Sequence, residues 1–181
     1  MQPNLTPHGD PLTLAWYVLG CNPGNYANFT WTVDYSLSWS QQGTLAPGVK
    51  FVTGGSSPVN TSTGDRIKFG LSGPAYTFQG SAPSAGAVGT CGVNSDNTVE
   101  NGVCSVAISV AGKPVAAIPI QPNSAITFTP LPKYYLSFGS FVEGTVVDVA
   151  TMVNSIELDY GGLGVFNLNY TLDARNNWTQ T

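Results

Sequence analysis

Three cysteines, one histidine and a few closely spaced acids are the residues of this chain with reactive side chains. Cys91 and Cys104 bracket the polar, turn-rich stretch "CGVNSDNTVENGVC". In an oxidising compartment a disulfide across its neck is one reading; three reduced thiols, Cys21 included, is the other. A structural zinc site needs four Cys or His ligands, commonly with a C-x2-C pair. The chain has no such pair, and its single histidine, His8, sits in a Pro-flanked N-terminal stretch. A Ser-His-Asp or Cys-His site would have to recruit that one imidazole. "APSAG" at 82–86 misses the first glycine of the G-x-S-x-G elbow, and no glycine-rich phosphate loop is present. These observations argue against an enzyme and against a resident metal or cofactor.

Two groups of carboxylates could also act together. Glu157 and Asp159 are two apart on an expected strand and so share a face, where they repel unless solvated or bridged by a cation. "NSDNTVEN" at 94–101 is dense in oxygen ligands, with Asp96 and Glu100 among them, yet it lacks the ligand spacing of a helix-loop-helix calcium site. Asp96 and Glu100 are therefore read as interface or loop contacts rather than as a metal site. N-x-[S/T] triplets begin at Asn4, Asn28, Asn60, Asn169 and Asn177, an excess that follows from a composition rich in Asn, Ser and Thr.

Aromatic residues are the remaining candidates. Trp16, Trp31, Trp39 and Trp178, with several tyrosines, would suit a sugar-stacking or partner-binding surface. In "FTWTVDYSLSW", residues 29–39, aromatic and apolar residues alternate strictly with Thr, Asp and Ser, which turns Trp31 and Trp39 toward a core. Trp178 lies in the polar tail "RNNWTQT" and is expected to anchor it on a neighbouring molecule.

The bulk properties narrow the partners. Charged residues make up 9% of the chain, against roughly 25% in ordinary soluble domains. A surface so poor in charge repels copies of itself weakly, which favours self-association. The net charge is −4, and the six basic residues are scattered, so the clustered positive charge that displaces counterions from phosphates is missing and no nucleic acid is expected. The apolar run "LTLAWYVLG" is too short to cross a bilayer, and "MQPNLTPHGD" does not read as a signal peptide.

The elements that must position these residues are strands. Gly (21) and Pro (13) cut the chain into short runs rich in Val, Ile, Thr, Phe and Tyr. Strands are expected over 12–19, 27–39, 48–53, 66–72, 75–79, 103–111, 114–120, 124–129, 133–139, 144–150, 154–159 and 163–173. A short helical turn near 148–154 is the only helical signal. Gly112 and Lys113 mark a tight hairpin turn between two β-rich runs. The stretch 80–102 reads as a long exposed loop, and 54–64 as a hinge or a wide turn. The fold class is all-β: an antiparallel β-sandwich, jelly-roll-like. The chain is read as one domain over 1–181, with a possible division into 1–40, a linker at 41–64 and an outer lobe at 65–181.

"NFTWTVDYSLSWSQQG" resembles the last shell strand of coat proteins from small icosahedral RNA viruses of the tombus-, sobemo- and noda-like groups. "QQGTLAPG" at 41–48 stands where their linker would be, and "SAITFTPLPKYYLSFGSFVEGTVVDV" at 124–149 looks like their protruding domains. The chain departs from that family in lacking a basic N-terminal arm and in being short for a shell plus a protrusion. The resemblance implies a capsid subunit, located in the virion, that assembles with itself or with other capsid subunits and meets a host receptor or glycan. The alternative expectation is an extracellular, carbohydrate-binding lectin of the same architecture.

Overall fold

The computed structural model describes residues 11–55, 58–82, 85–131, 133–148, 150, 152, 154–160 and 167–181. His8 lies outside them, as do 163–166 of the last expected strand and 149, 151 and 153 of the expected helical turn.

The all-β expectation holds. The strands are β1 (Leu12–Thr13), β2 (Tyr35–Ser40), β3 (Val59–Thr61), β4 (Arg66–Ser72), β5 (Ala75–Ala82), β6 (Cys91–Ser95), β7 (Ser105–Val110), β8 (Lys113–Pro119), β9 (Ala125–Phe128), β10 (Lys133–Ser137), β11 (Ser155–Asp159), β12 (Tyr170–Leu172) and β13 (Trp178–Gln180). A five-stranded sheet runs β1-β8-β7-β2-β3, a four-stranded sheet runs β5-β4-β6-β9, and β10-β11 and β12-β13 form two separate pairs. Pairing is antiparallel apart from β4 with β6, which run parallel. The five-stranded sheet draws β1 and β2 from 1–40, β3 from 41–64, and β7 and β8 from 65–181, while the strands of the other sheets all lie within 65–181.

The two larger sheets share one core. Leu37 and Trp39 of β2 and Val106, Ile108 and Val110 of β7 pack with Ile67 and Phe69 of β4, Cys91 and Val93 of β6, and Ile126 and Phe128 of β9. Side chains at every second strand position face the same way, which is why the alternating residues supply this layer. Burying each large aliphatic or aromatic side chain contributes about 1.5–3 kcal/mol.

The opposite face of β2 differs from the expectation. Ser36, Ser38 and Ser40 belong by type to a solvated face, yet they are buried, as are Ser105 and Ser109 of the neighbouring β7. Between them, Ala107 and Ala117 join Leu14, Phe51 and Val146 in a second, smaller core. Small side chains there leave room for those of Leu14, Phe51 and Val146. Their segments, 13–15, 144–147 and 48–51, continue the sheet beyond β1 as a short ladder: Leu14 N–H donates to Val115 O (2.9 Å), Val147 N–H to Thr13 O (2.9 Å), Ala15 N–H to Thr145 O (2.9 Å), Val146 N–H to Val49 O (2.8 Å) and Phe51 N–H to Gly144 O (2.9 Å). The strands expected at 12–19, 48–53 and 144–150 are thus mostly ladder segments with isolated bridges, Leu14 to Val146 and Lys50 to Thr145.

Three further expectations change. The strand at 27–39 begins only at Tyr35. The stretch 80–102 is not all loop, since β5 extends to Ala82 and β6 fills Cys91–Ser95 inside a sheet. The β7–β8 turn is formed by Ala111 and Gly112, both left-handed (φ 50° and 73°), while Lys113 already pairs with Val110. Positive φ at both central positions is the signature of a type I′ hairpin turn.

Candidate functional site: a groove beside an aromatic cluster

The ladder beyond β1 ends in a turn over Val142–Thr145. Thr145 donates to Val142 O through both its backbone N–H (3.1 Å) and its hydroxyl (2.7 Å). Gly144 takes φ +81° there, a conformation that L side chains rarely adopt. This turn holds Glu143 opposite Lys113 at the start of β8, and their charged atoms meet at 2.8 Å.

Beside this pair opens a groove of about 210 Å³. Trp16 and Phe51 supply its apolar surface, Lys50, Lys113 and Glu143 its charges, and Thr53, Pro114 and Gly144 complete the lining. Lys113 is held twice, by Glu143 and by the face of Tyr17, whose ring centre lies 4.2 Å from its ammonium. At half-exposed positions each such contact is worth about 0–1 kcal/mol, so they orient the lysine more than they stabilise the fold. Lys50 is exposed, and among the described residues it has no carboxylate partner.

Trp16 joins the groove to a cluster of aromatic rings. Its indole N–H donates to Val110 O (3.2 Å), and its ring stacks on Tyr134 of β10 (5.6 Å between centres, 20° between planes). Trp31 packs edge-on against Trp16 at 5.2 Å and against Tyr160 at 5.7 Å. Tyr134 and Tyr160 meet edge-on at 5.7 Å. Edge-to-face and offset pairs of this kind contribute about 0.5–1.5 kcal/mol beyond area burial. Burial pushes the Tyr160 phenol above its ordinary pKa, with Tyr134 and Tyr170 adding to the rise. The cluster therefore fastens the β10-β11 pair to the N-terminal segment and leaves Trp16 as the wall of the groove.

The residues singled out from sequence take other positions. Trp39 is in the core as expected, whereas Trp31 is half-buried in the aromatic cluster and packs on the core's edge. Cys91 and Cys104 are both free, buried thiols in the main core rather than the bridged neck of a loop. Burial pushes each thiol up to about 11, with Asp65 adding to the rise at Cys91 and Glu100 at Cys104. Asp96 organises its own turn. Its carboxylate accepts the Thr98 backbone N–H (2.9 Å) and the Thr98 hydroxyl, and rests against Gly70. Glu100 is exposed, and its backbone N–H donates to the Tyr76 hydroxyl (3.2 Å). Trp178, expected to reach a neighbouring molecule, spends its indole N–H inside the chain on Asn154 O (2.8 Å). Glu157 accepts from Lys133 (2.8 Å) and Tyr135 (3.1 Å), and those hydrogen bonds, Lys133's first, hold its carboxyl below the ordinary pKa. Among the described residues no group of three or more His, Cys, Asp or Glu is placed to hold a metal ion, and no helix is long and apolar enough to cross a membrane.

Sequence reasoning missed Lys50, Lys113 and Glu143 as a set. Local signals existed only for the turns that carry them, at Gly112 and Gly144. Nothing local brings together residues this far apart in the chain.

Comparison with known proteins gives the chain its relatives. The RhiA family model matches residues 2–181. Protein RhiA of Rhizobium leguminosarum bv. viciae is 33% identical over 180 residues, covering 95% of this chain and 74% of that protein. No solved structure matches. These findings overturn the coat-protein resemblance and, with it, the capsid function and the virion location; the lectin alternative gains no support from them. The physical reason is that an alternating aromatic strand is common to β-sandwiches in general, and here only Tyr35–Ser40 of that stretch is strand. A match spanning nearly every residue outweighs a pattern that covers about half of them, and the chain belongs to the RhiA family.

Proposed function

We propose that this chain is a non-catalytic binding protein and that its working site is the groove walled by Trp16. The observation that carries this reading is the convergence of an anchored aromatic ring with Lys50, Lys113 and Glu143 around one opening. Ligand sites set a few placed polar groups beside an apolar surface; this groove does so on a small scale, about 210 Å³, with charged side chains as prominent as apolar ones. The displaced acid–base groups fit structural roles: both buried thiols are pushed away from the reactive thiolate form, and Glu157 is committed to Lys133 and Tyr135. A fragment screen by two-dimensional NMR tests the reading. The expected result is that hits shift the Trp16 indole and the Gly144 and Lys113 amides together. Hits scattered over the surface, or none at this site, would defeat it.

A second reading, self-association of copies, draws on the low charge of the chain and on two exposed apolar side chains near the same turn, Phe138 (53% exposed) and Val142 (58%). Light scattering coupled to size exclusion, from micromolar to millimolar loading, should show a mass that rises with concentration. A constant monomer mass rules it out.

A further inference from the structure

We infer that the groove selects an anion: a small ligand that joins a flat apolar body to one negative group. This rests on the groove being a binding site and goes further by assigning the charge of the occupant. The chain as a whole carries −4, with only six Lys and Arg. Two of those six, Lys50 and Lys113, line this one groove, and among the described residues its lining holds one carboxylate, Glu143. The lining is thus positive by one charge (+2 −1) in a protein that is otherwise acidic, and such local surplus concentrates ligands of opposite sign.

The two lysines act differently. Lys113 is neutralised and oriented by Glu143 and by the Tyr17 ring, so it shapes the site. Lys50 carries the uncompensated charge. Its stem runs beside Gly144, where an added Cβ would lie 3.8 Å from Lys50 Cε. The flat body of the ligand is read from Trp16. Its one polar atom is spent on Val110 O, so what it offers the groove is its carbon surface, with the buried Phe51 beside it. A ring resting on Trp16 and an acidic group reaching Lys50 satisfy both features at once.

Two fluorescent dyes separate charge from shape: 8-anilinonaphthalene-1-sulfonate, which is aromatic and anionic, and N-phenyl-1-naphthylamine, its uncharged counterpart. The expected result is saturable binding of the sulfonate at one site, weakened about two- to fivefold by Lys50→Gln and by high salt, as for an exposed charge contact. Lys50→Gln should weaken binding of the sulfonate more than that of the uncharged dye. Thr53→Trp, at an exposed lining position, should block both dyes. Circular dichroism confirms that each variant is folded, and Lys50 and Thr53 both lie outside the core. If Lys50→Gln leaves sulfonate binding unchanged while Thr53→Trp blocks both dyes, the groove binds but does not read charge, and this inference alone falls. If Thr53→Trp affects neither dye, the groove is not the site, and the binding reading falls with it.

Discussion

The hydroxyls of Ser38 on β2 and Ser109 on β7 lie 3.0 Å apart, and both residues are buried. They sit on the face of the sheet where Leu14, Phe51 and Val146 pack on Ala107 and Ala117. Ser38→Ala strands the Ser109 hydroxyl, and a buried unsatisfied hydroxyl costs about 1–3 kcal/mol. Each single alanine variant should lose about that much in urea unfolding. The double variant should lose clearly less than the sum, because no hydroxyl is left stranded. Strict additivity would show that the pair does not interact.

Ala111 occupies the first left-handed position of the β7–β8 turn at φ 50°. A Cβ in that region costs roughly 1–2 kcal/mol, and Asn tolerates it better. Ala111→Asn should stabilise the protein by about 0.5–1 kcal/mol, read as a rise in Tm. A fall in Tm would count against the turn assignment.

Gly43 is where two backbones cross. A Cβ there would fall 1.8 Å from Gly102 O and 2.5 Å from Val103 N, and backbone cannot yield as a flexible side chain does. Gly43→Ala should cost about 3 kcal/mol or more, at the far end of single-site effects. Gly20→Ala, with nothing within 4 Å, is the control and should change Tm little.

The thiols give a pH prediction. Cys91 and Cys104 rise from an ordinary 9.0 to about 11 through burial. A raised pKa means that the folded state prefers the neutral thiol, so this stability is complete below about 9 and is lost as pH climbs through about 11. Unfolding midpoints should fall across that window, and less so in a variant with both thiols replaced by Ala, compared with its own value at neutral pH. At neutral pH iodoacetamide should label exposed Cys21 alone, the other two reacting only after denaturation. Rapid labelling of all three would contradict their burial.

Period-two alternation, turn glycines and the scarcity of helical spacing were enough to read an all-β chain, because strand geometry imposes its two-residue repeat directly on the sequence. The strand cores of β4, β7, β8 and β11 could be placed on that basis, and so could the burial of Trp39. Sequence could not show which face of β2 would be covered. Ser36, Ser38 and Ser40 look solvent-facing by type, and only the packing of distant segments on Ala107 and Ala117 buries them. The groove has the same origin. Trp16, Lys50, Lys113 and Glu143 come from four separate stretches with no local period linking them, and it is the backbone ladder, closed by the Gly144 turn, that brings them to one opening. Local chemistry determined the strands, whereas long-range hydrogen bonding and the packing of Leu14, Phe51 and Val146 on small side chains decided the second buried face and the site beside it.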